Sequence, residues 1–178
     1  MHKKIPYIFT FISDYKKEEI LKFNKNIGII FRNYEKSYDK DVILKTKELC
    51  KKKHQKLYLA NHAKLAINLD LDGVYIPAFN KNFQSNKYKF KKKFLILGSA
   101  HNVSVIKKKE KQGAEVIFIS PLFKTKNYKR CLEIIRFNSL SILTDKKIVA
   151  LGGINKKNLK RLKMTNAYGF SGISYFFK

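Results

Sequence analysis

Two strand ends in the last third of the chain carry residues suited to holding a phosphate. Ile148-Val149-Ala150-Leu151-Gly152-Gly153-Ile154-Asn155 reads as a buried parallel strand that runs into a double glycine and a helix cap. Further on, Tyr168-Gly169-Phe170-Ser171-Gly172-Ile173-Ser174-Tyr175 reads as another strand. Glycine lets backbone N–H groups approach phosphate oxygens, and a helix start presents free N–H donors to the anion. Gly152 and Gly153 are therefore candidate phosphate-binding residues, acting largely through their backbone. The competing reading makes the glycines a tight turn into a helix and Ser174 an ordinary strand residue. His101 ends another apolar strand, where an imidazole can move a proton near neutral pH. Arg32 ends a strand that is apolar on both faces. A charge placed there needs a partner or a ligand. No Ser/His/Asp or Cys/His arrangement is readable, and no metal-ligand cluster has useful spacing.

Positioning these residues requires alternating strands and helices. Strands are expected at Tyr7–Ser13, Ile27–Arg32, Lys56–Asn61, Asp72–Ala78, Lys93–His101, Glu115–Pro121, Lys147–Gly153 and Tyr168–Tyr175. Between them fall a helix capped by Asp14, then helices at Ser37–His54, Ala63–Ile67, Ser104–Gly113, Tyr128–Leu143 and Asn155–Met164. The segment Phe79–Tyr88 is polar and expected to hold little regular structure. Eight βα-like steps with short loops predict an α/β fold of the (β/α)8 TIM-barrel type, a single domain over 1–178. In such barrels a phosphate commonly sits on the loops after strands seven and eight. The barrel is compact, and its last helix is expected to be missing after strand eight. That would expose apolar flank near Phe176 and Phe177, leaving a homodimer contact or an imperfect barrel as the alternatives.

The formal charge of +26 raises nucleic acid as a partner. Against it, the arginines are only Arg32, Arg130, Arg136 and Arg161, whereas lysine is spread through every predicted helix. Phosphate-clamping and base-reading surfaces favour the bidentate arginine fork, so specific nucleic-acid binding is not expected and codon bias explains the lysines. A positive field should still speed the arrival of anionic substrates. No apolar run reaches the roughly eighteen residues of a membrane span. Cys50 and Cys131 lie far apart without CxxC spacing, which predicts reduced thiols and a cytoplasmic location.

From Leu95 to Ser174 the chain resembles the thiamine-phosphate synthase / TenI family. Gly98-Ser99-Ala100-His101-Asn102 is similar to the family's Ser-x-His strand end. Ile119-Ser120-Pro121-Leu122-Phe123-Lys124-Thr125 is similar to its Pro-x-Phe-x-Thr loop. Val149-Ala150-Leu151-Gly152-Gly153-Ile154 and Ile173-Ser174 resemble its phosphate cup. The resemblance implies thiamin biosynthesis and a small phosphorylated substrate, a thiazole phosphate. It adds Ser99, Thr125, Lys126, Ile173 and Ser174 as substrate-binding candidates. The synthase joins thiazole phosphate to a pyrimidine pyrophosphate with Mg2+; TenI-type relatives tautomerise a thiazole carboxylate phosphate without a metal.

Departures fall on the pyrophosphate half. Only Arg32 remains of a Gln-x-Arg-x-Lys strand. Asn61 stands at the end of an expected Asn-Asp, and Asn80 replaces an expected Asp. Tyr75 replaces a His. These losses favour a TenI-like thiazole tautomerase, with His101 as acid/base and Arg32 as carboxylate or phosphate partner. The alternative is a synthase with a weakened metal site at Asn61 and Asn80. A further alternative is a non-catalytic binder of phosphorylated ligands or nucleic acid.

Overall fold

Eight parallel strands pair in chain order and close into a barrel. The protein is seen here as a computed structural model that describes residues 4–35, 37–125, 130–172 and 175–176, with the backbone alone at 85 and 86. The strands are β1 (Ile8–Ile12), β2 (Gly28–Phe31), β3 (Lys56–Ala60), β4 (Gly73–Ile76), β5 (Leu95–Ala100), β6 (Val116–Ile119), β7 (Lys147–Leu151) and β8 (Gly169–Ser171). The helices are α1 (Lys17–Lys22), α2 (Lys40–Lys52), α3 (Ala63–Asn68), α4 (Val103–Lys111) and α5 (Glu133–Ser141).

Strands buried on both faces explain the continuous apolar runs. One set of residues fills the lumen: Phe9, Phe11, Ile30, Tyr58, Tyr75, Leu97, Phe118 and Val149 are all buried. Their neighbours, such as Ile29, Leu57, Val74 and Ile117, face the helical shell. The lumen is largely aromatic. The Phe118 ring lies edge-on to Phe9 at 5.0 Å and to Tyr75 at 5.5 Å. Phe11 meets Tyr75 edge-on at 5.4 Å, so the upper lumen is plugged and forms the floor of the mouth.

All eight expected strands are present and all are shorter than expected, β3 and β7 at the C-terminal end alone. Several expected helices differ. Asp14 does not cap α1: its carboxylate accepts from Tyr15 N–H, and Lys16 stands at the helix start without a side-chain cap. The second helix begins at Lys40, because Asp39 accepts from the N–H groups of Asp41 and Val42. α5 starts only at Glu133, within the expected Tyr128–Leu143, and its Ile135 is 82% exposed. The stretch 155–164 is no α-helix. Asn155 Oδ1 takes the N–H groups of Lys157 and Asn158, and a 3-10 turn follows at Leu159–Met164. Tyr175 and Phe176, read as strand end and exposed flank, are helical. The Phe176 ring packs edge-on against buried Phe23 at 4.9 Å, so it covers the barrel wall rather than opening it. Phe177 lies outside the described residues.

Candidate functional site

The C-terminal ends of the strands gather most of the expected residues at one mouth. On the β5–β7 side, His101 follows β5 directly. Its Nδ1 lies 2.7 Å from the Ser120 carbonyl oxygen at the end of β6. A carbonyl only accepts, so Nδ1 carries the proton and Nε2 of the neutral ring keeps its lone pair. Ser120 precedes Pro121 through a cis peptide bond. The chain then zips onto the loop after β7: Leu122 N–H donates to Leu151 C=O at 2.8 Å and Phe123 N–H to Gly152 C=O at 3.0 Å.

The double glycine is what permits this approach. A Cβ on Gly152 would lie 2.8 Å from Pro121 Cα, and one on Gly153 would lie 2.5 Å from Lys124 O. Both have φ in the left-handed region, 95° and 71°. Asn158 Nδ2 then donates to Gly153 C=O at 2.7 Å and fixes the turn. His101, Ser120, Gly152 and Gly153 thus form one connected rim. Thr125 ends the described part of the β6 loop. Lys126, Ile173 and Ser174 lie outside the described residues.

The β2–β4 side is built differently. Arg32 N–H donates to Ile12 C=O at 2.8 Å, which aligns the end of β2 with β1. Its guanidinium lies 4.4 Å from the Phe11 ring centre, a cation–π contact on the aromatic floor. Among the described residues no carboxylate lies within ion-pair distance of Arg32. A cavity of about 290 Å3 opens beside it, bordered by Ser13, Asp14, Lys16 and Glu19. Lys16 pairs with Glu19 at 3.2 Å and offsets its charge. Tyr34 and Phe79, both exposed, meet edge-on at 5.3 Å above Arg32.

Asn61 and Asn80 come together. Asn61 adopts φ 61° as it leaves β3, a conformation asparagine tolerates. Asn80 Nδ2 donates to Asn61 Oδ1 at 2.6 Å, while Asn80 Oδ1 accepts from Asn82 N–H at 2.8 Å. Both amide oxygens are thus engaged, and neither brings charge. Among the described residues no three His, Cys, Asp or Glu side chains gather into a metal site. This donor set does not fit a resident magnesium ion, which favours carboxylate and water oxygens.

Ser99 is buried on β5 and hydrogen-bonded to the Tyr75 side chain, so it belongs to the floor. Burial raises the Tyr75 hydroxyl above the ordinary tyrosine range and keeps it neutral. Both cysteines are free; burial pushes the Cys50 thiol up to about 12, which makes it inert. Among the described residues no helix is long and apolar enough to cross a membrane.

Sequence reasoning missed the support beneath Asn80. Lys109 on α4 is fully buried, and its ammonium reaches the loop after β4. The available signal was helical spacing, since Lys109 lies three residues after buried Ile106.

A sequence profile described as thiamine monophosphate synthase matches residues 19–176. The chain belongs to this family. It is 31% identical over 166 residues to the Aquifex aeolicus protein named "Putative thiamine-phosphate synthase 2", covering 89% of this chain and 87% of that one. A Prochlorococcus marinus thiamine-phosphate synthase is 29% identical over 83% of this chain, which spans 44% of the relative's length. The fold matches a thiamine phosphate pyrophosphorylase from Pyrococcus furiosus with a TM-score of 0.74 at 18% identity, covering 97% and 87% of the two chains. Membership places the chain in thiamin biosynthesis.

Proposed function

We propose that this barrel is a thiamine-phosphate synthase, joining a thiazole phosphate to a pyrimidine pyrophosphate. The observation that carries the reading is the resemblance to relatives of that name over most of the chain, 31% identical in one case. The tautomerase expectation gains no such support. The rim of Gly152 and Gly153 suits the thiazole phosphate, because its glycines bring backbone close to an anion. Arg32 suits the pyrophosphate: it is a fixed cation, free of a carboxylate among the described residues, and it can stabilise charge developing on a leaving group. Thr125, Lys126, Ile173 and Ser174 complete the phosphate side in this reading. Residues 1–178 act as a single barrel domain, and the amide pair at Asn61 and Asn80 contributes hydrogen bonding rather than a metal cage.

One observation keeps the tautomerase as a second reading. In its neutral form His101 donates from Nδ1 to the Ser120 carbonyl, which leaves Nε2 as the nitrogen able to take a proton at the mouth. The two separate in one experiment. Purified protein is given thiazole phosphate, pyrimidine pyrophosphate and magnesium, and thiamin phosphate is measured; thiazole carboxylate phosphate is assayed alongside. The synthase reading expects product in the first assay, and His101→Asn to slow it less than about tenfold. Isomerisation without condensation, slowed about 100-fold or more by His101→Asn, would replace it with the tautomerase.

A further inference from the structure

Lys109 is fully buried and none of its charge is met by a carboxylate among the described residues. It sits in the run Lys107-Lys108-Lys109, which as sequence looks like a solvated helix face. Instead its stem crosses Gly98 of β5. A Cβ on Gly98 would lie 3.0–3.1 Å from three carbons of that stem, so the glycine is the notch that admits it. The ammonium emerges under the loop after β4. There it donates to Pro77 C=O, Asn80 C=O and Gln112 Oε1, each at 2.8 Å. All three of its donors are used. Gln112, also fully buried, adds donations from Nε2 to Asn80 C=O at 3.2 Å and Asn82 C=O at 2.6 Å. Two side chains from α4 and its C-terminal cap therefore grip the backbone on both sides of residue 80.

A buried ammonium without a counter-charge is costly, and an apolar residue would serve packing alone at lower cost. Burial lowers the Lys109 pKa to about 8, a measure of the cost the fold tolerates. What the arrangement secures is the place of Asn80. The clamp holds its backbone while its side chain meets Asn61. It also sets a positive charge behind the part of the mouth where, among the described residues, the Asn61 and Asn80 amides meet. That charge disfavours a divalent cation there and favours an anion.

We propose that Lys109 is a positioning residue for the anionic group of the ligand bound at the β2–β4 side of the mouth, acting through the loop that carries Asn80. Under the synthase reading on which this rests, the group is the pyrophosphate of the pyrimidine substrate. Lys109 acts from behind the loop and need not touch the substrate.

The test uses the full chain with Lys109→Met, which keeps an unbranched stem and removes the ammonium, and with Gln112→Leu, which removes the second grip. The KM for pyrimidine pyrophosphate should rise about tenfold in Lys109→Met, while calorimetric affinity for thiazole phosphate stays within about twofold. Amide hydrogen exchange at residues 79–82 should quicken in both variants, the exchange at Gly152 and Gly153 staying as in the wild type. Equal losses for both substrates, or unchanged exchange at 79–82, would overturn the proposal. Should the wild type turn over neither substrate, the synthase reading fails. The exchange experiment then still decides whether Lys109 places the loop.

Discussion

The two sides of the barrel mouth hold their shape by different means. On the β6–β7 side, backbone binds backbone. Leu122 and Phe123 donate to Leu151 and Gly152, and glycines without Cβ let the loops touch. On the β2–β4 side, side chains do the work. Arg32 rests on Phe11, Asn80 holds Asn61, and Lys109 holds the Asn80 loop. The first arrangement tolerates almost no substitution at the glycines and many elsewhere. The second can drift in charge while keeping its shape, which is how amides stand where the family resemblance implies acids. The glycine rim is thus the sterically constrained part of the mouth, and the opposite side is where chemistry can be retuned.

The strongest way to break this contrast is Gly153→Ala. The added methyl would press on Lys124 O and Phe123 O at 2.5 and 2.7 Å, at a φ of 71°. Chemical denaturation should show a loss of about 2–3 kcal/mol, and calorimetry should lose thiazole phosphate binding. Binding that survives would move the phosphate elsewhere. A smaller effect is expected on the other side from Arg32→Lys. Lysine keeps the charge and forfeits the planar contact with Phe11, so the KM for pyrimidine pyrophosphate should rise about tenfold with thiazole phosphate affinity unmoved. A matching loss for both substrates would show that the sides are not separate. The mildest change sharpens the comparison. Asn80→Asp restores a carboxylate beside Asn61 and should lower the magnesium needed for half-maximal turnover about threefold. An unchanged magnesium requirement would mean the ion, if used, binds away from this pair.

The sequence made the barrel legible because strands buried on both faces leave unbroken apolar runs, and glycine marks close backbone approach. The His101 strand end and the Gly152-Gly153 turn were readable for the same reasons. The missed features follow competing local chemistry. Asn155 and Asn158 take backbone groups around the turn after β7, and a 3-10 turn replaces the expected helix. Glu133 enters α5 at φ 54°, which shortens that helix at its start. Lys109 was missed for a different reason. A lysine among lysines reads as solvated, and its helical spacing from Ile106 is a weak sign beside the notch at Gly98 that admits it.

The ring is joined unequally. β1 and β2 share four paired positions, while among the described residues β1 and β8 share two, Ile8 with Phe170 and Phe9 with Ser171. These partners are the ones most distant along the chain. Bringing them together closes the longest loop in the molecule, and the entropy of that closure must be met before the contacts repay it. The Tyr168 hydroxyl donating to Ile5 C=O and its ring lying 4.6 Å from Tyr7 act as a clasp at this point. The barrel is therefore expected to zip round from its local βα pairs and to shut last at β8. The clasp residues precede β1 and β8, at the end of the barrel opposite the mouth, so the seam is fastened without drawing on the residues of the site.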